Sequence, residues 1–319
     1  MIEVGLITAR FLHLAAVMAL FGLALFPVYS GPSGAAAPPA RVNGWRRTSI
    51  FCAALLALVS ALAWGWFAIA GMTGAMMAAA DPENLLTVLR ETSFGQVWVT
   101  RFGLGVALLA LILGRSSQHW TIAFLAGLLL ASLALVGHTQ TSDGALWVGH
   151  IGADGAHLLA AGAWLGGLLA LGYVLMLAQR FPSAENTTHA VAAIVRFSGM
   201  GYAAVAVLIG SGLVNAWVLV GPPTRLLTTP YGQLLLVKVC LLAGMLALAA
   251  HNRFRLVPAL QRSKARCLPA DSLLQALRRN VIGEQILGLA IVLIVAWLGT
   301  LPPAITALQW IAPRIGLAA

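Results

Sequence analysis

The stretch GLITARFLHLAAVMALFGLALFPV, residues 5–28, is longer than the roughly 20 apolar residues that carry a helix across a bilayer. It lacks the alternation of polar and apolar positions that marks a strand of a membrane barrel. Its two ionisable interruptions, Arg10 and His13, are costly in lipid and therefore turn toward other helices. Seven further apolar runs follow, at 49–73, 96–114, 119–136, 149–177, 197–220, 233–250 and 281–301. The sequence thus predicts an all-α, polytopic transmembrane bundle of about eight spanning helices, read as one integral membrane domain over 1–319.

Composition leads the same way. Of 319 residues, 60% are hydrophobic and 9% charged, against about a quarter charged in an ordinary soluble domain. Lipid must be the solvent for most of this surface, and in lipid only helices or closed barrels satisfy the backbone. The net charge of +10 is spread over short connections with no aromatic-basic surface, which points to membrane orientation and away from nucleic acid. Cys52, Cys240 and Cys267 show neither close metal-ligand spacing nor a disulfide framework. There is no phosphate-binding loop, aspartyl-phosphate motif or paired-cysteine metal motif, which argues against an ATP-driven pump; no enzyme is expected.

The prolines at 27, 32, 38 and 39 mark the first connection, and those at 222, 223 and 230 a later one. Residues 81–94 are amphipathic and too polar to span, so they are placed at the interface. The first run is too long for a signal peptide and lacks a basic leader segment, so it is kept as a spanning helix. No strong internal repeat stands out. The odd-numbered connections carry most of the arginine and lysine, with Arg253, Arg255, Arg262, Lys264, Arg266, Arg278 and Arg279 in the seventh alone. By the positive-inside rule both termini face outward, toward the periplasmic side.

That topology gathers His13, His138, His150 and His157 on the outward side and leaves His119, His189 and His251 inward. At about 100° per residue, His150, Asp154, His157, Ala161 and Trp164 share one helical face, which must look into the bundle. The α-carbons of His150 and His157 lie about 10.5 Å apart along the axis, too far for one ion to bridge without strain. A metal is expected at His157 with His13 or His138, with His150 as an outer acceptor and Asp154 orienting an imidazole. Binding requires neutral imidazole, so occupancy should fall with acid through roughly pH 6.5. Imidazole alone does not name the metal, whereas thioether sulfur selects Cu(I); Met72 and Met76 share a face, and with Met77 they form a possible second site. Arg10 and Lys238 are possible partners of Asp154, though Lys238 can also snorkel. Trp164 can offer its ring to a cation or simply pack. Gly162 and Gly166 form a small-residue face for close helix approach.

Three stretches carry a family resemblance. They are HIGADGAHLLAAGAWLGGLLAL from His150, RFSGMGYAAVAVLIGSGLVNAWVLVG from Arg196, and TPYGQLLLVKVCLLAGMLALAAHNRFRLVPAL from Thr229. With them the chain resembles the copper-resistance protein D family, most specifically over about 145–300. The resemblance implies copper homeostasis in a bacterial inner membrane: a permease that takes up copper, as Cu(I) or Cu(II), and moves it inward. It also implies a periplasmic copper-binding partner of the CopC kind, expected as a separate protein; membrane lipid is the other partner. Two further readings stand beside the permease. One is an electron-transfer protein with haem between facing histidines such as His13 and His157. The other is a factor that presents copper to a partner without transporting it.

Overall fold

The computed structural model describes residues 1–30, 39–114, 119–136, 145–266 and 271–305. The apolar runs fold as helices α1 (Ile2–Ser30), α2 (Ala40–Thr73), α4 (Ser93–Leu113), α5 (His119–Ala131), α6 (Ala145–Arg180), α7 (Ala184–Val220), α9 (Pro230–His251) and α11 (Asp271–Leu298). Shorter helices α3 (Pro82–Glu91), α8 (Arg225–Thr228) and α10 (Val257–Ala265) lie between them, and a π-helical turn, Asn252–Leu256, follows α9. Among the described residues, seven helices are long and apolar enough to cross a membrane. The eighth run is shorter: α5 tightens into a 3-10 turn, and the two together cover His119–Leu135.

Several helices begin before the apolar run does. α2 starts at Ala40 and α7 at Ala184, because polar first turns extend the helix past the hydrocarbon boundary that hydropathy detects. Two proline assignments change. Pro27 lies inside α1, and Pro230 opens α9 at its first turn, where the missing N–H costs no hydrogen bond. Leu55, Leu56, Val59 and Leu62 of α2 and Leu213 and Trp217 of α7 are exposed, as a lipid-facing surface requires. α3 is the amphipathic piece expected at the interface, capped by Asp81, whose side chain accepts from the Glu83 N–H.

Beneath the absence of a strong sequence repeat, two short segments share a pattern. The segments TSFGQVWVTR (92–101) and TPYGQLLLVK (229–238) perform the same local task. Thr92 Oγ1 accepts from Gly95 N at 2.9 Å and donates to Val88 O at 2.6 Å; Thr229 Oγ1 accepts from Gly232 N at 3.1 Å and donates to Arg225 O at 2.7 Å. Gln96 and Gln233 each reach back to a carbonyl of the preceding short helix, at 3.1 and 3.0 Å. Both glycines are required: a Cβ on Gly95 would strike Val88 O, and one on Gly232 would strike Arg225 O.

In this register Arg101 corresponds to Lys238, and the same equivalence runs through the other helices. His13 and Arg10 of α1 correspond to His157 and Asp154 of α6, while Ser60 and Trp64 of α2 correspond to Ser211 and Asn215 of α7. Gly22 then corresponds to Gly166, and these two face each other, each leaving no room for a Cβ against the other's backbone. Equivalent residues meeting across an interface define a two-fold relation. The described long helices therefore pair as two four-helix units, α1, α2, α4 and α5 with α6, α7, α9 and α11, related by a pseudo-two-fold through Gly22 and Gly166. Gly162 and Gly166 thus supply the close approach expected of them, against Met18 and Gly22 of α1. The repeat escapes a scan of the sequence because the matched positions are few and scattered through leucine and alanine common to all the helices.

Candidate functional site

In the second unit, α6, α7 and α9 bring ionisable side chains to one end of the bundle. His157 Nδ1 lies 2.9 Å from Ser211 Oγ, and the serine hydroxyl donates to Val207 O at 2.5 Å. With its one hydrogen so used, Ser211 accepts from His157 Nδ1–H, and the imidazole keeps its lone pair on Nε2. One turn earlier on α6, Asp154 Oδ1 accepts from Asn215 Nδ2 at 3.1 Å. Lys238 of α9 turns its charge on both Asp154 and His157, and His150 also acts on Asp154. Two atoms here are buried without a hydrogen-bond partner among the described residues: His150 Nδ1, on a side chain 2% exposed, and Asn215 Oδ1.

The equivalent cluster of the first unit is closed. His13 Nδ1 lies 3.0 Å from Ala57 O, which can only accept, and 3.2 Å from Ser60 Oγ. The proton is therefore on Nδ1, as in His157, and the Nε2 lone pair accepts from an Arg101 guanidinium N–H at 2.8 Å. Arg101 also donates to Leu129 O at 2.9 Å and Ser132 Oγ at 2.5 Å, so this buried cation is held by neutral acceptors. Arg10 lies over the Trp64 ring, 4.9 Å from its centroid.

Farther along α6 from His157, a cavity of about 180 Å³ opens between α6, α7, α9 and α11, lined by Trp164, Tyr202, Asn252, Arg253 and Glu284 among others. Glu284 is 2% exposed; its carboxylate accepts from Trp164 Nε1 at 3.3 Å and from Asn252 Nδ2 at 2.9 Å. The π-helical turn begins at Asn252 and sets this side chain at the cavity wall, where Asn280 Nδ2 donates to its Oδ1 at 2.7 Å. Arg253 Nε donates to Tyr202 OH at 3.2 Å.

The predicted site residues thus separate. His150, Asp154 and His157 share the second cluster, and Lys238 faces them. His13 belongs to the first cluster and shares no partner with His157. Arg10 stacks on Trp64 instead of reaching Asp154, and Trp164 uses its N–H on Glu284. His138 lies outside the described residues. Met72 and Met76 do not share a helical face, because α2 stops at Thr73 and Gly74 takes the left-handed conformation at φ 78°. Met72 and Met77 are exposed, and Met76 packs near Ile69. Among the described residues no three His, Cys, Asp or Glu side chains converge as a ready metal site. Sequence reasoning gave Arg101, Ser60 and Ser211 no role. An arginine well inside the run 96–114 was the available signal for the first; the serines carried none.

Comparison with known proteins places this arrangement. The N-terminal domain of copper resistance protein D-like proteins matches residues 1–149, and copper resistance protein D itself matches residues 191–298. Copper resistance protein D of Pseudomonas syringae pv. tomato is 31% identical over 94% of this chain and 97% of its own length. The chain belongs to the copper resistance protein D family. Another relative, inner membrane protein YebZ of Escherichia coli (strain K12), is 30% identical over 93% of the chain and 98% of its own length. Copper transport protein CutJ of Bacillus subtilis (strain 168) is 34% identical over 56% of the chain and 33% of its own length. No solved structure matches. In this member of the copper resistance protein D family, the first match spans α1–α5 and the second spans most of α7 through α11, with α6 almost wholly between them.

Proposed function

We propose that this copper resistance protein D family member is a permease of a bacterial inner membrane, a carrier with no catalytic role, and that copper is its cargo. Both termini face the periplasm, and copper enters from that side, delivered by a soluble periplasmic copper-binding protein. The observation that carries this reading is the α6 face. It combines a free imidazole lone pair on His157, a carboxyl group at Asp154, and two buried atoms, His150 Nδ1 and Asn215 Oδ1, that lack partners among the described residues. Imidazole and carboxylate accept copper in either oxidation state.

His150 receives the ion, His157 holds it with Asp154 in support, and the ion then passes toward the Glu284 cavity farther along the same helix. There a carboxylate held only by neutral N–H donors offers the cation its inner station. Haem between His13 and His157 is the weaker reading, since His13 already gives its lone pair to Arg101. Copper uptake into sealed vesicles of defined orientation separates a permease from a protein that only presents the metal. Wild-type vesicles should accumulate copper. Glu284→Gln should slow uptake at least tenfold while leaving copper affinity at the outer face unchanged. Copper that binds outside without entering would show a presenting protein.

A further inference from the structure

The two clusters are copies of one design, and they differ at the positions that decide whether a cation can bind. In both, a histidine donates from Nδ1 to a helical serine region, Ser60 or Ser211, each of which donates back to its own helix. In the second copy the position three residues before the histidine is Asp154, Lys238 acts on His157 by charge, and among the described residues His157 hydrogen-bonds through Nδ1, not Nε2. In the first copy that position is Arg10, and Arg101 donates directly to His13 Nε2. The surroundings differ in the same sense. α4 lies against α2, with Trp98 Nε1 donating to Ala61 O at 3.1 Å, and only about 20 Å³ remains beside His13 and Arg101. In the second unit the 180 Å³ cavity lies farther along α6, lined by Trp164 and Glu284 and not by His157, and α9 is not among the helices closely packed on α7.

We propose that the His13 cluster is a latent second copper site, closed from within by Arg101, whose guanidinium sits on the lone pair a metal ion would take. Two arginines near a neutral imidazole repel a metal ion, whereas beside His157 the one cation, Lys238, is countered by the Asp154 carboxyl group and does not occupy the Nε2 lone pair. The duplicated fold thus presents a single cation route through its second unit, and Arg101 is the tethered cation that keeps the first unit shut. This inference rests on reading the His157 cluster as the metal-receiving one.

The test gives the first cluster the charges of the second. Purified Arg10→Asp/Arg101→Lys protein should bind one further copper ion per chain than wild type, with the metal supplied as Cu(II) and, under ascorbate, as Cu(I). Adding His13→Gln should remove that further ion; adding His157→Ala should leave it. A folded, monodisperse double variant with no gain in copper overturns the proposal. If the double variant fails to fold, His13→Gln in the otherwise native chain decides. Unchanged copper content supports a closed site, and lost copper overturns it. Should His157→Ala alone leave wild-type copper untouched, the reading of the second cluster fails, while the gain from the double variant is still judged against its own parent.

Discussion

Replacing Ser211 with alanine should weaken copper binding without touching any residue proposed to hold the metal. The serine fixes His157 by accepting its Nδ1–H at 2.9 Å, and its own hydroxyl is locked onto Val207 O at 2.5 Å. With the oxygen gone, the imidazole can turn and change tautomer, and its Nε2 lone pair is no longer aimed. Loss of such an orienting partner typically costs about 10–100-fold in metal affinity. At about 1.4 kcal/mol per tenfold, that is roughly 1.4–2.7 kcal/mol. The assay is titration of purified protein with copper against a competing chelator. Ser60→Ala is the matched control: it removes the equivalent hydroxyl from the first cluster, where Arg101 already holds His13. Wild-type affinity in Ser211→Ala, or an equal loss in Ser60→Ala, would refute the reasoning.

Other outcomes follow from packing, support of the site and topology. Gly166→Leu should sharply lower folded yield in detergent, because its side chain must enter the backbone of α1 at Gly22 and Met18; overpacking costs about 1–3 kcal/mol even where neighbours can give. Gly199→Ala, which meets nothing within 4 Å, should purify normally. Asp154→Asn should lower copper affinity by about 10–100-fold, measured by the same titration. In a cysteine-free background, Thr224→Cys should react with an impermeant thiol reagent in intact spheroplasts and Gln261→Cys should not; the reverse pattern would invert the orientation.

The helical membrane class was legible because it depends only on the length of apolar runs and the scarcity of charge. The face holding His150, Asp154 and His157 was legible for a similar reason, since residues a turn or two apart on one helix cannot be separated by tertiary packing. What lay across helices was not. That His13 belongs with Arg101 and Ser60 depends on how α1, α2 and α4 pack, and hydropathy carries no record of it. Nor does it reveal the Glu284 cavity, which needs the π-helical turn to bring Asn252 to the wall. The methionine face failed on one residue: Gly74 ends α2 before Met76, and a helical periodicity carried past that glycine places a side chain where no helix exists.

The central claim is that copper is held in the second unit at His157. Metal analysis of purified wild-type, His157→Ala and His251→Ala proteins, loaded identically, tests it most directly. His251 is exposed at the far end of α9 and serves as the control. His157→Ala should lose most of its bound copper while His251→Ala keeps the wild-type amount. Full stoichiometry and affinity in His157→Ala would contradict the account and move the site elsewhere, with Met72, Met76 and Met77 the next to test.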